Sequence, residues 1–334
     1  KAVSWTREGL LKAHGFNKDE WVVVRARANR WGTPDGPNEQ LRIDVVPKSG
    51  VIDFPDPGKW NGLPKPRKPR AGKTRTVILA ADQHCPHEDR ELHRTFCDYL
   101  ADEQPDEGIL MGDLMDFSSI SRHREREGYC QSVNEGLQAG FNLLRDYREA
   151  SPKTRWTLLR GNHDQRLQDV VVDNVRGLHK IAAADDEVPA LSLRRLLHLD
   201  KLGIDYIDQD WDLARHPISR KLTARHGAAT GKSATASLLT RFARSTVQGH
   251  THRCSMLFRT EHTEDEAEPT VTRVAAEVPC MAQIKEGLGY MPSGSADWQQ
   301  GAMLARVWAN GDFHLTPGIY LPGRFMAPNG KRYE

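Results

Sequence analysis

The sequence predicts an α/β protein built from stacked sheets and helices, carrying a small α+β unit at its N-terminal end. Three observations lead there. From Thr74 onward, short apolar runs alternate with amphipathic stretches of helical length, the rhythm of a layered α/β fold. Where several of those runs stop, Gly, Asp, Asn and His cluster, and ligands in open α/β sheets bind at the carboxyl ends of strands. Finally, 38% hydrophobic and 28% charged residues over 334 positions are enough for a sizeable core, in a chain about twice the ~150 residues expected of one domain.

Several classes are excluded. No apolar run approaches the ~18 residues of a membrane span, and no basic start, apolar middle and small-residue cleavage site marks a signal peptide. The five cysteines (Cys85, Cys97, Cys130, Cys254, Cys280) are scattered, without a C-x-x-C pair. That argues against a disulfide framework or thiolate zinc site and for a cytoplasmic setting, with no membrane partner. The net charge is only +2, but residues 59–75 hold seven basic side chains and no acidic one. The rest of the chain is therefore net acidic, without a broad nucleic-acid footprint.

Taken in order, residues 1–50 read as a helix plus hairpin. Residues 5–14 have helical apolar spacing up to Gly15, while 21–28 and 41–47 are β-rich on either side of a turn at 32–38. Residues 51–73 form a Pro/Lys/Arg-rich linker, extended by composition. The main domain, 74–321, then runs as strand 75–81, helix 88–103, strand 108–111, helix 131–150 and strand 154–159. A helix follows at 233–244, then strands at 246–248, 255–259, 270–275, 303–309 and 313–315, with the acidic run 261–268 as a solvated hairpin loop. Residues 322–334 read as a C-terminal tail.

Five blocks sit where strands should end: Asp82-Gln83-His84, Gly112-Asp113-Leu114-Met115-Asp116, Gly161-Asn162-His163-Asp164, His226-Gly227 and Gly249-His250-Thr251-His252. In extended backbone, positions i and i+2 share a side, so Asp82 with His84, and His250 with His252, each present two metal-seeking groups together. Asp113 offers a carboxylate able to bridge two cations, Asn162 an amide oxygen and His226 another imidazole. Imidazoles and carboxylates without thiolate suit manganese, iron, zinc, cobalt or nickel rather than calcium or magnesium. Seven such groups are too many for one cation and about right for two. A single histidine is more often a surface or satisfied core residue than a ligand, and Gly-Asp is common turn chemistry. The ordered set, each block following an apolar strand, is what outweighs those readings.

The blocks resemble the calcineurin-like metallophosphoesterases, whose pattern is D-x-H, G-D-x-x-D, G-N-H-[DE], an isolated H and G-H-x-H, and all five match. The resemblance covers residues 74–321 and implies a four-layer sandwich of two mixed β-sheets flanked by helices. It also implies a dinuclear centre of divalent transition metals, with Mn²⁺ the leading choice. Asp82, His84, Asp113 and His252 would hold one cation and Asp113, Asn162, His226 and His250 the other. Two such cations ~3.5–4 Å apart clamp a phosphoryl group and lower the pKa of a bridging water, whose hydroxide attacks phosphorus. By the same resemblance His163 protonates the leaving group, with Asp164 orienting and charging it.

Phe117 and Ser118 after Asp116, and Asp164 after His163, depart from the family's phosphoprotein phosphatases. They look more like its DNA-repair nucleases and cyclic-nucleotide phosphodiesterases. The segments 82–87 and 297–301 are similar to uncharacterised phosphoesterases of bacteriophage and actinobacterial genomes. The leading expectation is therefore a nuclease, with Arg122, His123, Arg124 and Lys232 as candidate substrate contacts. A phosphodiesterase or phosphatase for small nucleotides is the first alternative, and a non-catalytic scaffold of the same fold the second. The P-loop-like stretch 227–233 has three residues between its glycines where a phosphate-cradling loop needs four, so nucleotide binding there is rejected. Trp5, Trp21 and Trp31 are read as packing residues rather than a base-stacking platform.

Overall fold

The computed structural model describes residues 6–33, 36–47, 74–123, 131–262, 270–284, 288 and 297–334. The chain divides into two compact units, 1–61 and 62–334. In the first, helix α1 (Arg7–Ala13) is capped by Thr6, whose hydroxyl accepts from Gly9 N at 3.1 Å. Leu10 and Leu11 bury against Val23 of a hairpin whose strands β1 (Trp21–Thr33) and β2 (Gly36–Pro47) pair antiparallel throughout. The strands thus run further toward each other than the expected turn at 32–38. The basic linker at 51–73 lies outside the described residues, as does most of the acidic run at 261–268.

The second unit begins with β3 (Arg75–Ala80), α2 (Arg90–Glu103), β4 (Glu107–Leu110), α3 (Val133–Ala150), β5 (Arg155–Leu159) and α4 (Asn162–Asn174). Two single-turn helices, α5 (Leu193–Leu196) and α6 (Leu199–Leu202), lead to β6 (Ile204–Ile207), β7 (Arg215–Pro217), β8 (Leu222–Arg225), α7 (Ala234–Arg241) and β9 (Ser245–Gln248). The chain closes with β10 (Ser255–Glu261), β11 (Val271–Glu277), β12 (Gln300–Val307), β13 (Phe313–Leu321), β14 (Arg324–Met326) and β15 (Arg332–Tyr333).

One sheet has the order β15-β14-β13-β12-β3-β4-β5-β6 and the other β10-β11-β9-β8-β7. Both are mixed: β3 to β6 are parallel and meet β12 antiparallel, while β8, β9 and β11 are parallel with antiparallel edges. Alternate residues of the central strands face a shared core. Val77, Leu79, Met303 and Ala305 come from one sheet, and Leu222, Ala224, Val247 and Ala276 from the other. The outer face of the larger sheet is covered by α2 and α3 through buried Phe96, Tyr99, Tyr147, Trp156 and Phe325. Leu238 and Leu239 of α7 pack with Ala275 on the smaller sheet. Helix, sheet, sheet and helix make the expected four layers.

One expectation is corrected. Residues 322–334 are not a free tail, because β14 and β15 extend the larger sheet and Phe325 is wholly buried against α2. Among the described residues no helix is long and apolar enough to cross a membrane.

Candidate metal centre

The parallel strands decide where the chemistry gathers. β3, β4 and β5 run alike in one sheet, and β8 and β9 run alike in the other. The residues just beyond their carboxyl ends are Asp82, Asp113, Asn162, His226 and His250, and they meet at one edge of the sandwich. Backbone bonds stitch the loops together: Asp82 N to Gly112 O at 3.1 Å, His84 N to Asp113 O at 2.9 Å and Cys85 N to Leu114 O at 2.8 Å. Across the sandwich, His250 N donates to the Asp82 carboxylate at 2.8 Å.

Three overlapping triads result, Asp82/His84/His252, His84/Asp113/His163 and Asp113/His226/His250, each with donor atoms within 4.8 Å of one another. His84 Nε2 lies 3.1 Å from His252 Nε2, a spacing at which only one of the two nitrogens can carry a proton. His226 Nε2 is 2.8 Å from Asn162 Oδ1 and 3.3 Å from Asp113 Oδ2, while its Nδ1 sits 2.9 Å from Met111 O. All seven expected ligands are therefore brought together. Asp113 belongs to two of the three triads, beside His84 and His163 in one and His226 and His250 in the other.

The donors fit divalent cations on three counts. They are imidazoles, carboxylates and an amide oxygen, buried except for the half-buried Asn162 and His250, the set that binds transition metals. Among the described residues, the buried His252 Nδ1 has no hydrogen-bond partner. The electrostatics are those of charges held together. Burial would raise the Asp113 carboxyl, but the His226 and His163 imidazoles outweigh it and hold Asp113 well below the usual carboxylate range. Burial disfavours the His226 cation, yet Asp113 and Asp82 raise it to about 9. Burial and the adjacent His163 push His84 down to about 4. The backbone is also strained at the centre. Of the nine non-glycine residues with left-handed backbone among the described residues, five are Asp82, His84, Asp113, His250 and His252, at about 1–2 kcal/mol each. The i, i+2 pairs thus converge through left-handed turns rather than the extended backbone expected from their spacing.

The motif glycines have a steric reason. A Cβ on Gly161 would stand 2.1 Å from Asp113 N and 2.2 Å from its Oδ1, and one on Gly112 would stand 2.8 Å from Gly161 Cα. The two loops touch backbone to backbone, which only glycine allows.

His163, on the first turn of α4, lies beside the ligands with its Nδ1 3.1 Å from both the carbonyl and carboxylate oxygens of Asp116. Asp116 Oδ1 also contacts His84 Nδ1 at 2.9 Å, so one carboxylate orients both imidazoles. Despite its burial, these two imidazoles draw Asp116 far below the ordinary carboxylate range. The role expected of Asp164 is corrected accordingly. Its carboxylate accepts from Gly161 N at 2.8 Å and Met115 N at 2.9 Å, closing the start of α4 as a third-position acid does and tying it to the loop after β4. Burial and the nearby Asp113 charge push its carboxyl up to about 6.

Sequence reasoning also passed over Arg166, which donates from Nη1 to Asp116 O at 2.8 Å and places Nη2 3.0 Å from His163 Nε2. The signal was available, since His163 and Arg166 are three apart on a helix, but α4 itself was not foreseen. Trp211 stacks on His250 with centroids 5.6 Å apart, and Trp298 lies 4.3 Å from His252. Gln299 N donates to His252 O at 2.9 Å, so the block at 297–301 supports the last ligand. Gln248 pins the loop after His226, accepting from Ala228 N and Ala229 N and donating to Ala229 O. The P-loop-like stretch thus follows directly on the candidate ligand His226 and is held by Gln248.

The expected substrate contacts are not gathered there. Arg122 is largely exposed and pairs with Asp173. His123 is exposed, with its backbone N–H donating to Ser121 Oγ at 3.1 Å. Lys232 is exposed in the turn before α7, and Arg124 lies outside the described residues.

The sequence pattern of the calcineurin-like phosphoesterases matches residues 75–254, more than half of the chain and every ligand-bearing strand end. The chain belongs to the calcineurin-like phosphoesterase family. It is 28% identical over 269 residues to the Gene 54 protein of Mycobacterium phage L5, covering 78% of this chain and 99% of the phage protein. The Gene 54 protein of Mycobacterium phage D29 is likewise 28% identical over 260 residues, covering 75% and 96%. Among solved structures, Vacuolar Protein Sorting 29 from Cryptosporidium parvum aligns over 75% of this chain and 94% of its own, with 14% identity and a TM-score of 0.37. This calcineurin-like phosphoesterase therefore has its family's two-sheet fold together with a complete set of candidate ligands for divalent metal ions.

Proposed function

We propose that this calcineurin-like phosphoesterase is a manganese-dependent phosphodiester hydrolase whose substrate is nucleic acid. The observation that carries the hydrolase reading is the placement of His163 beside a complete ligand set, with Asp116 fixing its Nδ1 side. Asp82, His84, Asp113 and His252 would hold one cation and Asp113, Asn162, His226 and His250 the other. Bound there, divalent cations supply Lewis-acid stabilisation of a phosphoryl group and a water acidic enough to ionise near neutral pH.

The protein's own residues supply the rest. His163 Nδ1–H donates to Asp116, which fixes the ring and leaves Nε2 on the side of Arg166. Nε2, which accepts from Arg166 Nη2 in the free protein, is the nitrogen that would carry a proton to the departing oxygen once that guanidinium turns to the phosphoryl group. Arg166, anchored by Asp116 O, brings its guanidinium to the same side and can donate to a phosphoryl oxygen. Support for a polymeric substrate comes from the larger cleft beside His250, about 750 Å³, whose lining includes three arginines and one carboxylate.

The test loads purified protein with Mn²⁺ and measures turnover of bis(4-nitrophenyl) phosphate, the monoester, cyclic nucleotides, and single- and double-stranded DNA. Hydrolysis of the diester and of DNA is expected. Turnover confined to small nucleotides would shift the substrate class. No turnover with manganese, iron, zinc, cobalt or nickel would leave a scaffold.

A further inference from the structure

We propose that the cleft running from His250 toward Arg244 is a track for the phosphate backbone of a polynucleotide, engaging it beyond the scissile phosphodiester. The proposal rests on the phosphodiesterase reading above and deepens it to a surface. A cleft of about 750 Å³ is lined by Trp211, Arg215, Arg225, Arg241, Phe242 and His250. A second, about 310 Å³, shares Arg215, Arg225 and Phe242 and adds Arg244. The two are continuous, and one end is His250, itself a candidate metal ligand.

The arginines come from separate places. Arg215 is on β7, Arg225 ends β8, Arg241 ends α7 and Arg244 immediately precedes β9. The fold therefore assembles this patch, unlike a run of basic residues along one exposed segment.

Their gathering in one place without partners is what points to a ligand. Many other arginines of this unit are paired, among them Arg75 and Arg155 with Glu107, Arg160 with Asp208, Arg253 with Glu277 and Arg273 with Glu261. Among the described residues, Arg90, Arg306 and Arg324 are not, but none of them lines either cleft. Among the described residues, Arg215, Arg225, Arg241 and Arg244 make no ion pair and donate no side-chain hydrogen bond. The buried Nε of Arg225 has no acceptor, and Asp212 is the one carboxylate lining either cleft. Arg225 lies over the Phe242 ring at 4.2 Å and Arg241 at 5.8 Å, so one aromatic ring attracts two like charges. Like charges gathered without counter-charge cost stability, and an anion bound among them removes that cost. Four guanidiniums strung along adjoining clefts suit successive phosphates, with guanidinium forks matching phosphate oxygens.

The experiment uses the full chain and varies exposed Arg215 and Arg241, leaving Arg225, the neighbour of His226, untouched. Binding of a fluorescein-labelled 20-nucleotide DNA, single- and double-stranded, is followed by anisotropy across a salt series. Turnover of bis(4-nitrophenyl) phosphate is measured in parallel. Arg215→Ala/Arg241→Ala should weaken oligonucleotide binding by about tenfold or more and make the log–log salt slope shallower by about 1.5, the loss of two phosphate contacts. Small-diester turnover should stay within about twofold, because that substrate does not reach the track. Arg215→Lys/Arg241→Lys should keep most of the salt slope. Unchanged affinity and slope in the alanine variant would overturn the track. So would weakened binding of inorganic phosphate or a mononucleotide with oligonucleotide binding intact, which would mark a small-phosphate subsite instead. If the unaltered protein turned over no diester, the hydrolase reading would fall on that arm, while the anisotropy arm would still decide the track.

Discussion

Asp113→Ala is expected to strip the centre of both cations and reduce diester turnover by about 10³-fold or more, since the stabilisation withdrawn amounts to several kcal/mol. Asp113 is the carboxylate shared by two of the three triads, and its oxygens lie 3.3 Å from His226 Nε2 and 2.8 Å from His163 N. Without it, each remaining half-site keeps imidazoles but loses the bridging charge that offsets two dications. Elemental analysis after gel filtration checks the outcome, with about two equivalents expected in the unaltered protein and almost none in the variant. Because Asp113 is buried and contacts several loops, Asp113→Asn serves as the shape-preserving partner. It should retain the fold by circular dichroism and still lose metal. Two equivalents retained in Asp113→Asn would remove Asp113 from the ligand set.

His163→Ala should give the opposite pattern, with metal content unchanged and turnover reduced by about 10²–10⁴-fold on esters whose leaving group needs a proton. The activated nitrophenyl diester should suffer much less, because its leaving group departs unprotonated. That split separates proton donation from ligation. Although His163 shares a triad with His84 and Asp113, its Nδ1 is already taken by Asp116 and its Nε2 is 3.9 Å from Asp113 Oδ2. Loss of a metal equivalent in His163→Ala would make it a ligand. Equal losses on activated and unactivated diesters would deny it the acid role.

The candidate ligands were legible because they sit in short, spaced blocks, each ending an apolar run, and the pairing of parallel strands carries such blocks to one edge. What surrounds them was not, for physical reasons. Helix α4 begins at the Gly-Asn-His-Asp block and continues through a β-branched run, Val170-Val171-Val172, which local propensity disfavours in helices. The block therefore read as a strand-end loop, and Arg166 went unseen. Asp164 and Asp116 are both acids beside a ligand block, and only the closed turn at Gly161 shows that Asp164 serves the backbone while Asp116 serves the imidazoles. The cleft arginines belong to β7, β8, α7 and the turn before β9, and only strand pairing and packing, such as Arg215 opposite Arg225, bring them together. β14 and β15 are three and two residues long, too short for periodicity, and their place comes from pairing and from burial of Phe325.

The most direct measurement is anomalous diffraction from crystals of the full chain grown with Mn²⁺. Two manganese peaks are predicted at the common edge of the two sheets. One should lie within coordination distance of Asp82, His84 and His252, the other of Asn162, His226 and His250, with Asp113 reaching both. A single peak, or manganese bound away from these side chains, would contradict a dinuclear centre.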